Sequence, residues 1–423
     1  MLFTFYKFLT AASYPLLRLW VLIRLKHGKE HKDFVKERFG RARHRRPAGT
    51  LIWIHAASVG ESLSTLPLIK ALQKETPNSK ILLTTGTRTS QELIEKRLPE
   101  GVLLQTIPFD IPFAVDAFFK HYKPTLGLVL ESELWPNLLN SAPCPLVLLN
   151  ARLSDRSFKR WKMLKGVFKD LLGAFKTIYV QSTTDLKKYQ QLGVKNLKLM
   201  TNLKLCALPL PYEEDVLNLL KNSLKDRPVW ITASTHEKEE ERVLKVHHEI
   251  LKTYPTACLV LVPRHPSRCK KIEEDLLKNN FEYERYSHAI EGSTVILAKA
   301  ELSPTTKVFL IDKLGTLGLI YALKKPVFLG GSFEPIGGHN ILEPILQRCS
   351  TYFGPHMENF TDLVTLLKDD QSYVKDEVEL LEKLLKEFSD PLIGIMRSKK
   401  AYEKLTIYKH DLEKLANELS KNI

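Results

Sequence analysis

From residue 50 onward the chain alternates between short, nearly continuous apolar runs and longer amphipathic stretches. TLIWIHA (50–56), KILLTT (80–85), LLQTIPF (103–109), LGLVLE (126–131), PLVLLN (145–150) and TIYVQS (177–182) are short and rich in branched apolar residues. They read as strands covered on both faces. Between them SLSTLPLIKALQKE (62–75), RTSQELIEKRL (88–98) and TDLKKYQQLG (184–193) place apolar residues at helical spacing. Pro67 inside the first of these predicts a kink or break, because proline removes a helical N–H and crowds the preceding turn. A second series follows the proline-rich stretch ALPLPYEED (207–215): PVWITAS (228–234), TACLVLVP (256–263), STVILAK (293–299), KVFLID (307–312) and PVFLGG (326–331), with helices such as EKEEERVLKVHHEILKTY (237–254) between them. Strands alternating with helices predict parallel sheets with helices on both faces, so the fold class is α/β, two Rossmann-like doubly wound domains. The boundaries fall at 1–25 for an N-terminal apolar segment, 26–206 and 207–390 for the two domains, and 391–423 for a helical tail.

Length agrees with that division, since 423 residues exceed what one ordinary core organises. Five scattered cysteines, never in a CxxC pair, indicate neither a disulfide framework nor a zinc site. The balance of 63 basic to 48 acidic residues gives a net charge of +15, which favours an anionic partner such as nucleic acid, anionic lipid or a phosphorylated substrate. The distribution narrows the choice. Lys26, Lys29, Lys32, Lys36, Arg38, Arg41, Arg43, Arg45 and Arg46 directly follow MLFTFYKFLTAASYPLLRLWVLIRL (1–25). That segment contains Lys7, Arg18 and Arg24 and so fails the composition of a simple spanning helix. Its aromatic residues and basic flank predict a helix in the bilayer interface, or a short retained anchor, against anionic lipid. The bland alternative is a first helix packed on the domain.

In open α/β sheets ligands bind beyond the carboxyl ends of the strands, so chemistry is sought just after each apolar run. IWIHAASVGES (52–62) brings His55, Ser58, Gly60 and Glu61 to a helix start, where Glu61 also has a bland reading as a first-turn carboxylate. GLVLESELWPN (127–137) places Glu131 and Glu133 after a buried strand, and VLVPRHP (260–266) does the same for Arg264 and His265. GxxxxGK[ST] and HExxH are both absent. GGSFEPIGGHNILEP (330–344) holds four glycines, then His339, Asn340 and Glu343. It is expected to bring bare backbone up to a ligand, with Asn340 capping a helix whose free N–H groups take an anion and Glu343 accepting from sugar hydroxyls. Together these positions predict group transfer in a cleft between the domains, the second holding a nucleotide-type leaving group and the first an acceptor.

WIHAASVGE, LESELWPN, NARLSDRS, ASTHEKEE, VPRHP, GGSFEPIGGHNILEP and FGPHMENF, in this order, resemble the bacterial 3-deoxy-D-manno-octulosonic acid (Kdo) transferases of lipopolysaccharide synthesis. The resemblance spans residues 50 to about 365. It implies the GT-B fold, with two Rossmann-like domains facing a cleft. It further implies CMP-Kdo as donor, a phosphorylated lipid A precursor as acceptor, no cofactor or metal, no nucleic acid, and a place at the cytoplasmic face of the inner membrane. It casts Glu61 as the general base for inverting transfer, and Glu131 and Lys204 as stabilisers of the transition state. Donor binding falls on Arg264, His265, Leu314, Gly315, Thr316, Asn340, Ile341, Leu342 and Glu343. Two departures stand out. Leu205 and Cys206 follow the NLK stretch where the family usually has an aromatic residue and Asp, and Thr316 replaces an acidic residue. Two rival readings are a nucleotide-sugar epimerase or hydrolase on the same fold, and a protein that only binds anionic lipid through residues 1–46.

Overall fold

The computed structural model describes residues 2–27, 30–287, 302–367 and 372–423. The expected strand at 293–299 lies outside the described residues. The chain divides into two compact units, Met1–Ala207 with Ile407–Ile423, and Leu208–Thr406. The division therefore runs inside one long helix, Pro391–Ser420.

Seven parallel strands form the sheet of the first unit: β1 (Leu51–Ala56), β2 (Lys80–Thr85), β3 (Val102–Thr106), β4 (Leu126–Leu130), β5 (Leu146–Ala151), β6 (Phe175–Val180) and β7 (Leu197–Leu199). Their order is β3-β2-β1-β4-β5-β6-β7. The chain reverses direction across the sheet at β1 and β4, the place where doubly wound folds open a crevice. Residue by residue, β1 pairs with β2 from Leu51 opposite Lys80 to Ala56 opposite Thr85. Every residue of β1 is buried, which explains why its sequence shows no alternation. Trp53, Phe118, Phe119 and Tyr122 centre the core, each worth about 1.5–3 kcal/mol of apolar burial.

In the second unit six strands are described: β8 (Val229–Thr235), β9 (Cys258–Pro263), β10 (Tyr283–Arg285), β11 (Val308–Leu310), β12 (Val327–Leu329) and β13 (Thr351–Phe353). They run parallel in the order β10-β11-β9-β8-β12-β13, with the reversal between β8 and β12. Trp230, Phe328 and Tyr352 lie in its core.

Two expectations change. The helix Val59–Glu75 runs through Pro67 unbroken. Leu66, Leu68, Ile69 and Leu72 are buried along it, and that packing outweighs the roughly 3 kcal/mol cost of an internal proline. The strand β7, together with β10 and β13, was not anticipated from the pattern.

The N-terminal segment forms two helices, Leu2–Ala12 and Tyr14–Lys26, and it packs on the first unit. Tyr6 donates to Asp110 at 2.9 Å, Asn137 donates to Thr10 at 3.0 Å, and Tyr14 meets Phe39 and Phe113 edge-on. Its outer face leaves Phe5, Phe8, Leu16, Leu19 and Leu22 exposed. Among the described residues no single helix is long and apolar enough to cross a membrane; the two helices pass that test only as a pair bent by 52°. The basic run that follows is only partly a surface feature. Arg38 is 8% exposed and donates to the carbonyls of Gly86 and Ile107, while Arg43 pairs with Glu95 at 3.0 Å.

Candidate functional site

In the first unit the chemical residues gather at the carboxyl ends of β1, β4 and β5. Ser58 caps the Val59–Glu75 helix and accepts from the Glu61 N–H at 3.3 Å, while its own hydroxyl donates to Glu61 Oε1 at 2.7 Å. Glu61 Oε2 accepts from the Ala57 N–H at 2.9 Å. This is a capping box reaching one residue further back than usual, so the bland reading of Glu61 is present in full. It does not exhaust the carboxylate, because each oxygen retains a second acceptor direction. The helix start fixes Glu61 in one rotamer at the sheet edge, 8% exposed.

Glu131 follows β4 with φ +56°, a left-handed backbone that turns its side chain off the strand path. Its Oε1 lies 3.0 Å from Lys204 Nζ. Lys204 stands in a 3-10 turn, Leu203–Cys206, held by Asn150 Oδ1 on the Leu203 N–H at 3.1 Å and Asn202 Oδ1 on the Lys204 N–H at 3.0 Å. The turn packs against the helix that carries Glu61. Leu205 and Cys206 complete the turn, and the buried Cys206 thiol donates to the Tyr408 carbonyl at 3.2 Å.

Sequence reasoning left His55 and Glu133 without roles. His55 is fully buried, and its Nε2 faces Glu133 Oε2 at 3.9 Å. Burial pushes the Glu133 carboxyl up, but the His55 ring and the Trp135 N–H, 2.5 Å away, more than offset it and leave the group below its ordinary value.

In the second unit the carboxyl ends of β8, β9, β11 and β12 carry the remaining candidates. Arg264 and His265 follow β9; Arg264 is exposed and its N–H is held by the Thr235 carbonyl at 2.9 Å. Leu314, Gly315 and Thr316 form the turn after β11: Leu314 is exposed, Gly315 has φ +86°, and the Thr316 hydroxyl donates to the Lys313 carbonyl at 3.0 Å.

The glycine-rich stretch behaves differently from its expectation. Glu239 is fully buried, and its two oxygens accept from Gly331 N at 2.6 Å, Ser332 N at 3.0 Å, Phe333 N at 2.9 Å and His236 N at 3.1 Å. The anion that fills this cluster of N–H groups is the protein's own carboxylate, so the bare backbone after β12 is not an open ligand cradle. At Gly338, φ +75°, an added Cβ would lie 2.2 Å from Met357 Sδ, so that glycine serves packing against the FGPHMENF segment. Asn340 Oδ1 accepts from Leu342 N at 3.1 Å, and its amide donates to Glu343 Oε1 at 3.2 Å. The helix it starts, Leu342–Leu346, is a single short turn with Ile341 and Leu342 buried, so its dipole is small and Asn340 already occupies the first N–H.

What remains open for a ligand is a histidine cluster. His236 Nε2 and His339 Nε2 lie 2.9 Å apart with the rings parallel to within 4°, and the His265 ring stands edge-on to His236 at 6.0 Å. One proton is shared across that contact, since one nitrogen donates and the other accepts. Burial lowers His339 to about 4, with the nearby His236, Arg264 and His265 acting the same way. Burial also lowers His236, which Glu239 only partly offsets. Both rings are neutral at pH 7 and Arg264 supplies the fixed charge beside them. Among the described residues no group of three or more His, Cys, Asp or Glu side chains is placed to hold a metal ion.

The sequence model of the 3-deoxy-D-manno-octulosonic-acid transferases (kdotransferases) matches residues 33–207. The 3-deoxy-D-manno-octulosonic acid transferase of Rickettsia bellii is 36% identical over 360 residues, covering 85% of this chain and 84% of its own length. The chain belongs to the Kdo transferase family. A second relative of the same name, from Haemophilus influenzae, is 32% identical and covers 95% of this chain and 92% of its own. Among solved structures, a glycosyltransferase from Rickettsia africae aligns with 89% of this chain and 98% of its own at TM-score 0.53 and 12% identity. That likeness concerns the fold alone, and it agrees with the GT-B class expected for two Rossmann-like units. Within the family, the Glu131–Lys204 pair is formed despite the departure at Leu205 and Cys206, because backbone and Asn side chains hold the turn.

Proposed function

We propose that this chain is an inverting glycosyltransferase that moves Kdo from CMP-Kdo to the lipid A precursor, with Glu61 as the general base. The observation that carries the reading is the constellation of Glu61 with the Glu131–Lys204 pair at one sheet edge, in a chain of the Kdo transferase family. In the proposed step an acceptor hydroxyl oxygen bonds to the anomeric carbon of Kdo and passes its proton to Glu61. The bond from that carbon to the phosphate oxygen breaks, and CMP leaves with the electron pair. A fixed general base contributes roughly 10²–10⁴-fold. Lys204, held at Glu131, supplies positive charge for the carboxylated sugar as its ring becomes electron-poor and the leaving phosphate gains charge. On the donor side Arg264 offers a cation and the His236, His265 and His339 rings offer hydrogen-bonding nitrogens to the cytidylate, and the turn Leu314 to Thr316 offers backbone contacts.

The exposed Phe5, Phe8, Leu16, Leu19 and Leu22, on helices anchored to the first unit by Tyr6 and Thr10, support a monotopic seat on the cytoplasmic face of the inner membrane. Phe8→Ser with Leu16→Ser should release the protein from anionic vesicles, and unchanged retention would remove this part of the reading.

The test is purified full-length protein with CMP-Kdo and the tetra-acylated lipid A precursor, followed by mass spectrometry of the lipid. A Kdo increment on the lipid supports transfer. CMP release alone points to a hydrolase and refutes it. The ladder of increments also gives the number of sugars added.

A further inference from the structure

The first unit contains a cavity of about 320 Å³ lined by Trp20, Glu30, Arg38, His55, Glu133 and Trp135 among others. Three of these residues bring buried polar atoms with no hydrogen-bond partner: Glu30 Oε1, Arg38 Nε and His55 Nε2. Glu30, Arg38 and His55 are 5%, 8% and 0% exposed. Such atoms are costly to leave unpaired, and proteins rarely gather them by accident.

Their chemistry is mixed, and that identifies the occupant. Arg38 already donates to two backbone carbonyls, so its Nε–H is a free donor. Glu30 Oε1 is an acceptor. His55 is resolved by its neighbours. Its Nδ1 lies 3.2 Å from the Thr84 carbonyl, and the Thr84 hydroxyl directs its own proton to the Ile54 carbonyl. Nδ1 therefore carries a hydrogen, and Nε2 faces the cavity. Glu133, 3.9 Å from Nε2, is too far for a direct hydrogen bond, and a hydroxyl set to one side of the pair reaches both atoms. Arg24, which also lines the cavity, already pairs with Glu30 Oε2 at 3.5 Å, so a phosphate reaching for Arg38 meets the carboxylates of Glu30, Asp110 and Glu133. Hydroxyl groups both donate and accept, so a polyol satisfies all three atoms. Trp20 and Trp135, 47% and 44% exposed, give aromatic walls for the C–H face of a ring.

We propose that this cavity is a subsite for one hydroxylated sugar ring of the acceptor, with Arg38 and His55 as its hydrogen-bonding contacts. The identity of the ligand as acceptor rests on the transferase reading; the saccharide chemistry rests on the cavity. The site adjoins the reaction centre through Ala57, which lines the cavity and holds the Glu61 carboxylate by its N–H. It also adjoins the exposed apolar face of the N-terminal helices through Trp20, which suits an acceptor whose sugars sit at a lipid surface.

The experiment uses the full-length protein in detergent, with the fully deacylated lipid A precursor as saccharide probe. Tryptophan fluorescence titration should show saturable binding, abolished or weakened at least tenfold in His55→Gln, and the signal should shrink in Trp135→Phe. In turnover assays His55→Gln and Arg38→Met should raise the KM for the acceptor at least tenfold and leave the KM for CMP-Kdo within twofold. Arg38 and His55 are both buried, so their variants are read only if their circular dichroism matches the wild type; the half-exposed Trp135→Phe decides otherwise. An acceptor KM unchanged in folded His55→Gln, equal losses on both substrates, or no saccharide binding to the wild type overturns the proposal. A wild type that binds the saccharide through His55 but transfers no Kdo sustains the subsite and refutes the transferase reading instead.

Discussion

Replacing Glu239 by Gln should damage the second unit far more than an isosteric change on a helix surface would. The wild-type carboxylate accepts four backbone N–H groups, two on each oxygen, at 2.6–3.1 Å. Glutamine presents an NH2 group to one of those pairs. Two buried N–H donors then face another donor, and each unsatisfied group costs about 1–3 kcal/mol. A loss of about 2–6 kcal/mol follows, a large share of the stability of a domain this size. Trp230, fully buried in β8, is the only tryptophan in the sequence of residues 208–406, so its fluorescence reports this unit selectively. Guanidinium unfolding followed at that tryptophan should show a lower midpoint for Glu239→Gln, and weaker donor binding, because His236 is tied to the same carboxylate. A midpoint within the equivalent of about 0.5 kcal/mol of the wild type, the range of an ordinary surface change, would refute the reasoning.

Lys204→Met should behave in the opposite way: the pair with Glu131 is half-exposed, so stability changes by no more than about 1 kcal/mol, whereas kcat falls at least 10²-fold. Thermal melting and initial rates distinguish the two effects, and an active variant would remove Lys204 from the mechanism. His247 carries a pH prediction. It is fully buried, donates from Nε2 to the Lys307 carbonyl, accepts from Trp230 at Nδ1, and burial lowers it to about 3. Between pH 6.5 and 3 the unfolded chain binds the proton and the folded one does not, so stability is complete above 6.5 and declines as pH falls, by about 1.4 kcal/mol per unit. Urea midpoints at pH 7 and pH 5 should differ less in His247→Gln than in the wild type; an equal difference would assign the acid sensitivity elsewhere.

The alternation of strand and helix was legible because both sheets are parallel and covered, which turns their inner strands into unbroken apolar runs such as LIWIHA and CLVLVP. The strands that escaped are three residues long and lie at or beside sheet edges, where LKL and YER need not be apolar. Glu131, Arg264 and His265 could be singled out because a charge directly after a buried strand has few bland explanations, whereas Glu61, in the first turn of a helix, kept its capping role beside the chemical one. Glu239 could not. It sits in EKEEERV, which looks like a solvated face, and its partners at Gly331 to Phe333 are more than ninety residues away. The same distance hid the stacked His236 and His339, whose motifs were visible but whose meeting depends on β8 and β12 lying side by side. The four glycines pointed to a ligand when read alone; in the fold a buried carboxylate and the Met357 side chain account for much of them.

The central claim is that Glu61 takes the proton while Kdo passes to the lipid. Mass spectrometry of the tetra-acylated precursor after incubation with CMP-Kdo, wild type beside Glu61→Gln, addresses it directly. The account predicts a Kdo-shifted lipid for the wild type, and for a folded Glu61→Gln protein that still binds CMP-Kdo a rate lower by about 10²-fold or more. Equal conversion by both proteins would contradict it.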